Sequence, residues 1–282
     1  MSGTIAQPIL NNPYEIPSRH HELGQQGPTG TIVDGRRPSE SFVPIAKAKK
    51  GSTPAAAMSV PAAEQQSLDL DITRERRETN DLINSLRREV GLWRMRGYPT
   101  VTPYTRKLLE HWSNPDKENR VLFAQREAAE TAIYLAEVAG RAGNTDWRTR
   151  MDAINAEHNQ DLPRIALKMA TGAGKTVVMG MLIAWNTINK VHSPRDGRFS
   201  KRFLIVAPGV TIRDRLQVLQ PAVPDNYYDE RDLVPPDLQH ALGQAEIKII
   251  NYHQLQLRLV VGGTDVGDAV PAVSGGRSSS AC

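Results

Sequence analysis

The sequence predicts an α/β fold: a partial parallel sheet with flanking helices, preceded by a helical region and a disordered N-terminal arm. Three observations predict it. A glycine-rich loop joins a short apolar run to a long apolar helix near the middle of the chain. Two further apolar runs alternate with helical segments after that loop. The N-terminal part is rich in Pro, Gly, Ser and Gln and shows almost no periodicity.

The composition narrows the class of protein. The chain has 282 residues, of which 39% are hydrophobic and 5% aromatic, and its net charge is +4. Its one cysteine, Cys282, excludes an internal disulfide and favours a reducing compartment. The histidines lack metal-ligand spacing, no apolar run reaches membrane-spanning length, and the N-terminus lacks a secretion signal. These features favour a cytoplasmic protein, and the mild basicity leans towards nucleic acid as a partner.

The arm contains two stretches that differ from the linker around them. Residues 12–20 (NPYEIPSRH) and 35–39 (GRRPS) have the character of an extended segment that docks on the body of the protein. Four segments are predicted along the chain: a mostly disordered arm and linker over 1–66, a helical region over 67–160, an α/β lobe over 161–258, and an unstructured tail over 259–282.

A helix is predicted at the start of the helical region. Leu82, Leu86, Val90 and Trp93 recur every three or four residues, and Gly97 with the following proline ends the pattern. The other face carries arginines with glutamates interleaved, which fits either a DNA-backbone contact or a solvated face. These arginines are Arg74, Arg76, Arg77, Arg87, Arg88, Arg94 and Arg96.

Three more helices are predicted before the loop. Thr102 and Pro103 provide a cap and a first-turn proline for the second helix. A third is predicted to begin at Asn114 and to run to about Gly140, and a fourth covers residues 147–158.

The glycine-rich loop carries the strongest chemical signal. Residues 165–169 are predicted to form a strand, the loop reads ATGAGKT over 170–176, and residues 177–185 are predicted to form a buried helix. In this context backbone N–H groups and the helix N-terminus bind phosphate. Lys175 then reaches the terminal phosphates of ATP and the Thr176 hydroxyl ligates Mg²⁺, which makes these two the candidate catalytic residues.

The segment after the loop helix continues the alternation of strands and helices. Residues 203–207 and 246–251 are predicted strands, with a helix over 211–219 between them. Ligands in such sheets bind at the carboxyl ends of the strands. Thr171, Pro208 and Asn251 are predicted to lie there.

The motifs in this order resemble the start of a superfamily 2, DEAD-like helicase, and within it the restriction (Res) subunit of type III restriction enzymes. The resemblance runs from about residue 12 to residue 252. It implies a partial RecA-like lobe that binds ATP and Mg²⁺ through Thr171, Gly172, Ala173, Gly174, Lys175 and Thr176. Met169 departs from the commoner phosphate-loop pattern, which has glycine at that position.

Further site residues follow from the same resemblance. FAQREA over 123–128 resembles the glutamine motif, which implies that Gln125 recognises adenine. APGVTIRDR over 207–215 resembles motif Ia, which implies that Gly209, Thr211 and Arg213 contact DNA. Asn251 and Tyr252 belong to the motif that follows it. The resemblance also implies single- or double-stranded DNA and a DNA methyltransferase (modification) subunit as partners.

The departures from the family shape the functional expectation. The acidic motif II is missing, because residues 229–232 (DERD) follow a polar turn instead of a strand and precede Asn251. The second lobe and the nuclease domain are also missing, so a truncated or frameshifted chain is expected, binding ATP without unwinding or cutting DNA. Two alternatives stay open: a non-catalytic DNA- or protein-binding module that uses the arginine-rich helical region, and a small P-loop kinase.

Overall fold

The computed structural model describes residues 8–24, 27–44, 75–141, 147–159, 164–255, 260–261 and 264–265. The helices are α1 Asp81–Met95, α2 Pro103–Ser113, α3 Phe123–Ile133, α4 Trp147–His158, α5 Lys175–His192, α6 Val210–Arg215, α7 Tyr227–Glu230 and α8 Gln239–Leu242. The strands are β1 Arg19–Gly24, β2 Gly27–Asp34, β3 Glu40–Pro44, β4 Glu75–Thr79, β5 Arg202–Ala207, β6 Glu246–Asn251, β7 Val260–Val261 and β8 Thr264–Asp265. Within those ranges, no helix combines the length and apolar character needed to cross a membrane.

The described part of the arm contains strands that the sequence did not predict. β1 and β2 form an antiparallel hairpin, and β3 pairs antiparallel with β4. The partner of β3 lies more than 30 residues further along the chain, so no local periodicity reveals the pairing. The arm also docks on the body as predicted, because the N–H of Phe123 donates to the carbonyl oxygen of Pro13 at 2.9 Å.

The predicted helices α2 and α4 are confirmed, and α1 is confirmed from Asp81 onward. Arg76 and Arg77, predicted on the polar face of α1, lie instead in β4. In α1, Val90 and Trp93 are buried, and the helix ends before Gly97, whose φ of 71° suits glycine. In α2, the Thr102 side chain accepts a hydrogen bond from the N–H of Thr105, as its role as a cap requires.

The third helix begins later than predicted. The Asn114 side chain accepts from the N–H of Asp116 at 2.9 Å, which makes a local turn that an Asn-Pro sequence forms as readily as a helix cap. α3 starts only at Phe123 and passes directly into a π-helix over Tyr134–Val138. This wider turn lies where Glu137 enters the core.

Helix α5 is the centre of the core and packs against α2, α3 and α8. Its buried residues include Met181, Ala184 and Ile188. Trp185 is also buried, and its indole N–H donates to the carboxylate of Glu137 at 2.7 Å. The helix that follows the glycine-rich loop is therefore held rigidly by apolar packing and by a buried hydrogen bond.

The sheet of the predicted lobe is confirmed only in part. β5 and β6 are parallel and pair from Arg202 opposite Glu246 to Ala207 opposite Asn251. The prediction of a strand over 165–169 is wrong, since that segment is irregular in the structure. A strand needs a hydrogen-bonded neighbour, and the described residues supply none to this segment. The full parallel sheet is therefore not formed by the residues that the structure describes.

Candidate functional site

The glycine-rich loop over 171–174 leads into the N-terminus of α5, an 18-residue helix. Gly172 and Gly174 have φ of 79° and 75°, a left-handed conformation that glycine adopts without strain. The first N–H groups of a helix have no partner within the helix, and its dipole places partial positive charge there. The end of α5 is thus a donor set suited to an anion such as phosphate.

The side chain of Lys175 lies back over this loop. Its ammonium group donates to the carbonyl oxygen of Ala170 at 2.8 Å, and the N–H of Ala173 donates to the same oxygen at 3.3 Å. Lys175 is exposed, Thr176 is half-buried, and Thr171 is exposed. A phosphate bound at the loop would compete with the Ala170 carbonyl for the ammonium group, because an anion is the stronger acceptor.

The buried side chain of Gln125 links α3 to the loop. Its Oε1 accepts from the N–H of Leu122 at 3.0 Å, and its Nε2 donates to the carbonyl oxygen of Ala173 at 3.1 Å. The predicted adenine-reading amide therefore lies beside the phosphate loop, with both of its ends bonded to backbone. An adenine edge would have to replace one of these bonds in order to be read.

A pocket of about 410 Å³ opens between the loop and the helical region. This volume is within the range of about 300–1,000 Å³ for small-molecule sites. The loop contributes Gly172, Gly174 and Thr176 to its wall, and Gln125 lies beside them.

The outer wall of this pocket comes from residues that the sequence analysis did not assign to the site. Tyr14 of the arm and Arg120 line it, and the Arg120 guanidinium lies over the Tyr14 ring at 4.4 Å. The two residues are more than 100 positions apart, and the sequence predicted only that the segment over 12–20 docks on the body of the protein.

The motif Ia-like residues lie just beyond the carboxyl end of β5. Gly209 precedes α6, Thr211 is exposed, and Arg213 donates to the carboxylate of Asp214 at 2.8 and 3.0 Å. The last pair of the β5–β6 register brings Asn251 to the same end of the sheet. Tyr252, with 56% of its surface exposed, follows it. These five residues therefore share one end of the parallel pair.

Comparison with family models decides the relationship. The model for the type III restriction enzyme, res subunit, matches residues 112–266, which is more than half of the chain. The chain belongs to this family. The match covers Gln125, the phosphate loop, β5 and β6, and the family domain indicates a helicase-like ATP-binding module. Comparisons with curated proteins and with solved structures gave no match.

The DERD segment of this Res-family chain is not at the end of a strand. Asp229 and Glu230 lie in α7, which follows a turn, as the sequence analysis expected. The half-exposed carboxylate of Asp232 pairs with Lys117 at 3.0 Å and with His111 at 3.3 Å. Burial, followed by the nearby Lys117 charge, lowers the pKa of His111 against the opposing contacts with Asp232. Because Arg231 and Leu233 line the pocket, the contact between Asp232 and His111 joins this part of the pocket wall to α2.

Proposed function

We propose that this Res-family chain binds ATP with Mg²⁺ in the 410 Å³ pocket beside the glycine-rich loop, which we call the nucleotide pocket. The chain would then be the ATP-binding part of a DNA-dependent helicase or translocase. One observation carries the proposal. The glycine-rich loop, with two left-handed glycines, leads directly into α5 and accepts a hydrogen bond from Gln125 beside the pocket. A donor set at a helix N-terminus beside an amide suits a nucleotide, which has phosphates at one end and a base at the other.

The phosphate end is assigned to the loop. The backbone N–H groups of Gly174, Lys175 and Thr176 find no acceptor among the described residues, so they can donate to phosphate oxygens. The Lys175 ammonium exchanges the Ala170 carbonyl for a phosphate oxygen. The Thr176 hydroxyl would hold Mg²⁺, which neutralises phosphate charge when it is bound.

The base end is assigned to the outer wall. Tyr14 offers an aromatic surface, and Arg120 lies over its ring. Gln125 has the donor and acceptor needed to pair with an adenine edge once one of its backbone bonds opens. The pocket is large enough for both ends of the nucleotide to bind at once.

The DNA contact is assigned to the shared end of β5 and β6. Gly209, Thr211, Asn251 and Tyr252 lie there, and Arg213 can exchange its exposed Asp214 partner for a DNA phosphate. Exposed ion pairs are weak, so this exchange costs little. The family relationship extends the proposal to a modification methyltransferase as a protein partner.

Titration with a fluorescent ATP analogue tests the nucleotide site. Lys175→Ala is expected to reduce affinity at least tenfold, because it removes the cation that faces the phosphates. Lys248→Ala, which removes an exposed lysine from β6, is the matched control and is expected to bind like the wild type. Equal binding by wild type and Lys175→Ala would overturn the proposal.

A further inference from the structure

A second cleft, of about 890 Å³, lies between the arm, α1 and the segment that leads into the phosphate loop. Among the described residues, none lines both this cleft and the nucleotide pocket, and none of the DNA-contact residues at the end of β5 and β6 lines it. We name it the arm cleft. Its charged lining residues, histidines aside, are Arg19, Arg36, Arg37, Glu40, Arg87 and Lys168.

Two of these cations are already paired. Arg36 makes a double contact with the carboxylate of Glu127, with both distances at 2.6 Å. Arg37 lies 3.4 Å from Glu40, the one carboxylate among the described lining residues of the arm cleft. Local carboxylates therefore compensate Arg36 and Arg37.

The other three cations, Arg19, Arg87 and Lys168, have no carboxylate within ion-pair distance in the part of the chain that the structure describes. Burial lowers the pKa of Arg87, and the smaller effect of the neighbouring Arg36 charge is opposed by Glu127. Arg94, on the same helix, differs because it is buried against Glu130 and is unavailable to a ligand.

We propose that the arm cleft binds the phosphate backbone of a nucleic-acid strand through Arg19, Arg87 and Lys168. The three cations come from three separate segments of the chain and line one cleft, so that more than one phosphate of a strand can be contacted at once. Arginine pairs well with phosphate because its planar fork can donate two hydrogen bonds. The described residues that line the cleft include no Phe, Tyr or Trp, so the proposed contact is to the backbone and independent of base sequence.

A nucleic-acid strand fits the arm cleft better than other anions. The volume is about twice that of the nucleotide pocket, and the uncompensated charge is spread over its walls, which suits a repeating anion more than a single phosphate. Because Ala170 lines the cleft and its carbonyl holds Lys175, the bound strand would lie directly behind the phosphate loop.

Fluorescence anisotropy of a labelled 20-nucleotide single strand tests this site. The triple variant Arg19→Gln, Arg87→Gln, Lys168→Gln is expected to weaken binding about tenfold or more. It should also reduce the slope of log affinity against log salt by about 2, since each phosphate contact contributes roughly 0.7. The matched control Arg141→Gln, Arg195→Gln, Lys248→Gln removes the same charge from exposed residues outside the cleft and is expected to keep the wild-type slope.

Two further measurements keep the result interpretable. Binding of the fluorescent ATP analogue must be unchanged in the triple variant, which shows that it is folded. Lys168→Gln alone, at an exposed residue, should reduce the slope by about 0.7.

Equal loss in the triple variant and its control would overturn the arm-cleft assignment, and so would no loss in either. Equal competition by polyglutamate or by phosphatidylserine vesicles would also overturn it, in favour of an acidic protein or a membrane. If Arg213→Ala loses DNA binding while the triple variant keeps it, the result would support the proposed function and overturn the arm cleft. Equal ATP binding by the wild type and Lys175→Ala would overturn the nucleotide site but would leave the DNA-binding measurement unaffected, so failure of the proposed function and failure of the arm cleft can be told apart.

Discussion

Gly174 and Gln125 meet so closely that no side chain fits between them. A Cβ atom at Gly174 would overlap Nε2 of Gln125, the atom that donates to Ala173. Gly172 has a similar left-handed φ but open space around its missing side chain. Alanine at position 172 would therefore cost backbone strain alone, whereas alanine at position 174 would cost similar strain and would also displace Gln125.

Gly174→Ala is expected to lower affinity for the ATP analogue at least tenfold, because Gln125 must leave the loop. Gly172→Ala should mainly lower the free energy of unfolding, by about 1–2 kcal/mol, since it forces a left-handed alanine. Nucleotide titration and urea unfolding of both variants check this. Equal nucleotide affinity in the two variants would contradict a role for the contact between Gln125 and the loop.

Tyr14→Ala is expected to weaken ATP binding about fivefold or more, because stacking on an aromatic ring contributes about 1–3 kcal/mol per base. Tyr14→Phe keeps the ring and should retain most of the affinity. Inorganic tripolyphosphate, which lacks a base, should compete equally well for the wild type and Tyr14→Ala. A loss of tripolyphosphate affinity in Tyr14→Ala would show that the arm supports the loop instead of the base.

Glu130→Ala is expected to lower the free energy of unfolding by about 3–5 kcal/mol, because it leaves the largely buried guanidinium of Arg94 without its ion-pair partner. The Glu130 carboxylate is fully buried, accepts from the hydroxyl of Tyr98 at 2.7 Å, and pairs with Arg94. Glu110→Ala, at an exposed residue of α2, should stay within about 0.5 kcal/mol of the wild type. Urea unfolding monitored by tryptophan fluorescence checks both values.

Stability is expected to fall as the pH drops below about 6.5, partly because of His111. The pKa of His111 is lowered in the folded protein, so the unfolded chain takes up the proton first. The His111 contribution is thus complete above the unfolded pKa and is lost as the pH falls towards the folded one. His111→Gln should show a smaller drop in urea midpoint between pH 7.5 and 5.5 than the wild type does. The control His158→Gln, at an exposed residue of α4, should show the same drop in urea midpoint as the wild type.

The fold was predictable wherever local sequence decides the structure. Thr102 caps α2, and an apolar helix follows the glycine-rich loop, because each of these features depends on residues within a few positions. The strands over 202–207 and 246–251 were predicted from their apolar runs, and their parallel pairing from the alternation of strands and helices. The third helix was predicted too early, because the Asn114 turn and a helix cap use the same hydrogen bond. The apolar run over 165–169 was wrongly predicted as a strand, since apolar character does not supply a pairing partner.

The sequence by itself determined the family, the phosphate loop and the helix behind it, because the motif and its apolar helix are contiguous. Only the tertiary structure brought Gln125 to Ala173, Tyr14 to Arg120, and Arg36 to Glu127. These pairs join residues 48, 106 and 91 positions apart, and no periodicity or local propensity connects residues at such separations. The loop that would hold the phosphates is therefore encoded locally, whereas the walls of both clefts depend on how the arm folds back on the body.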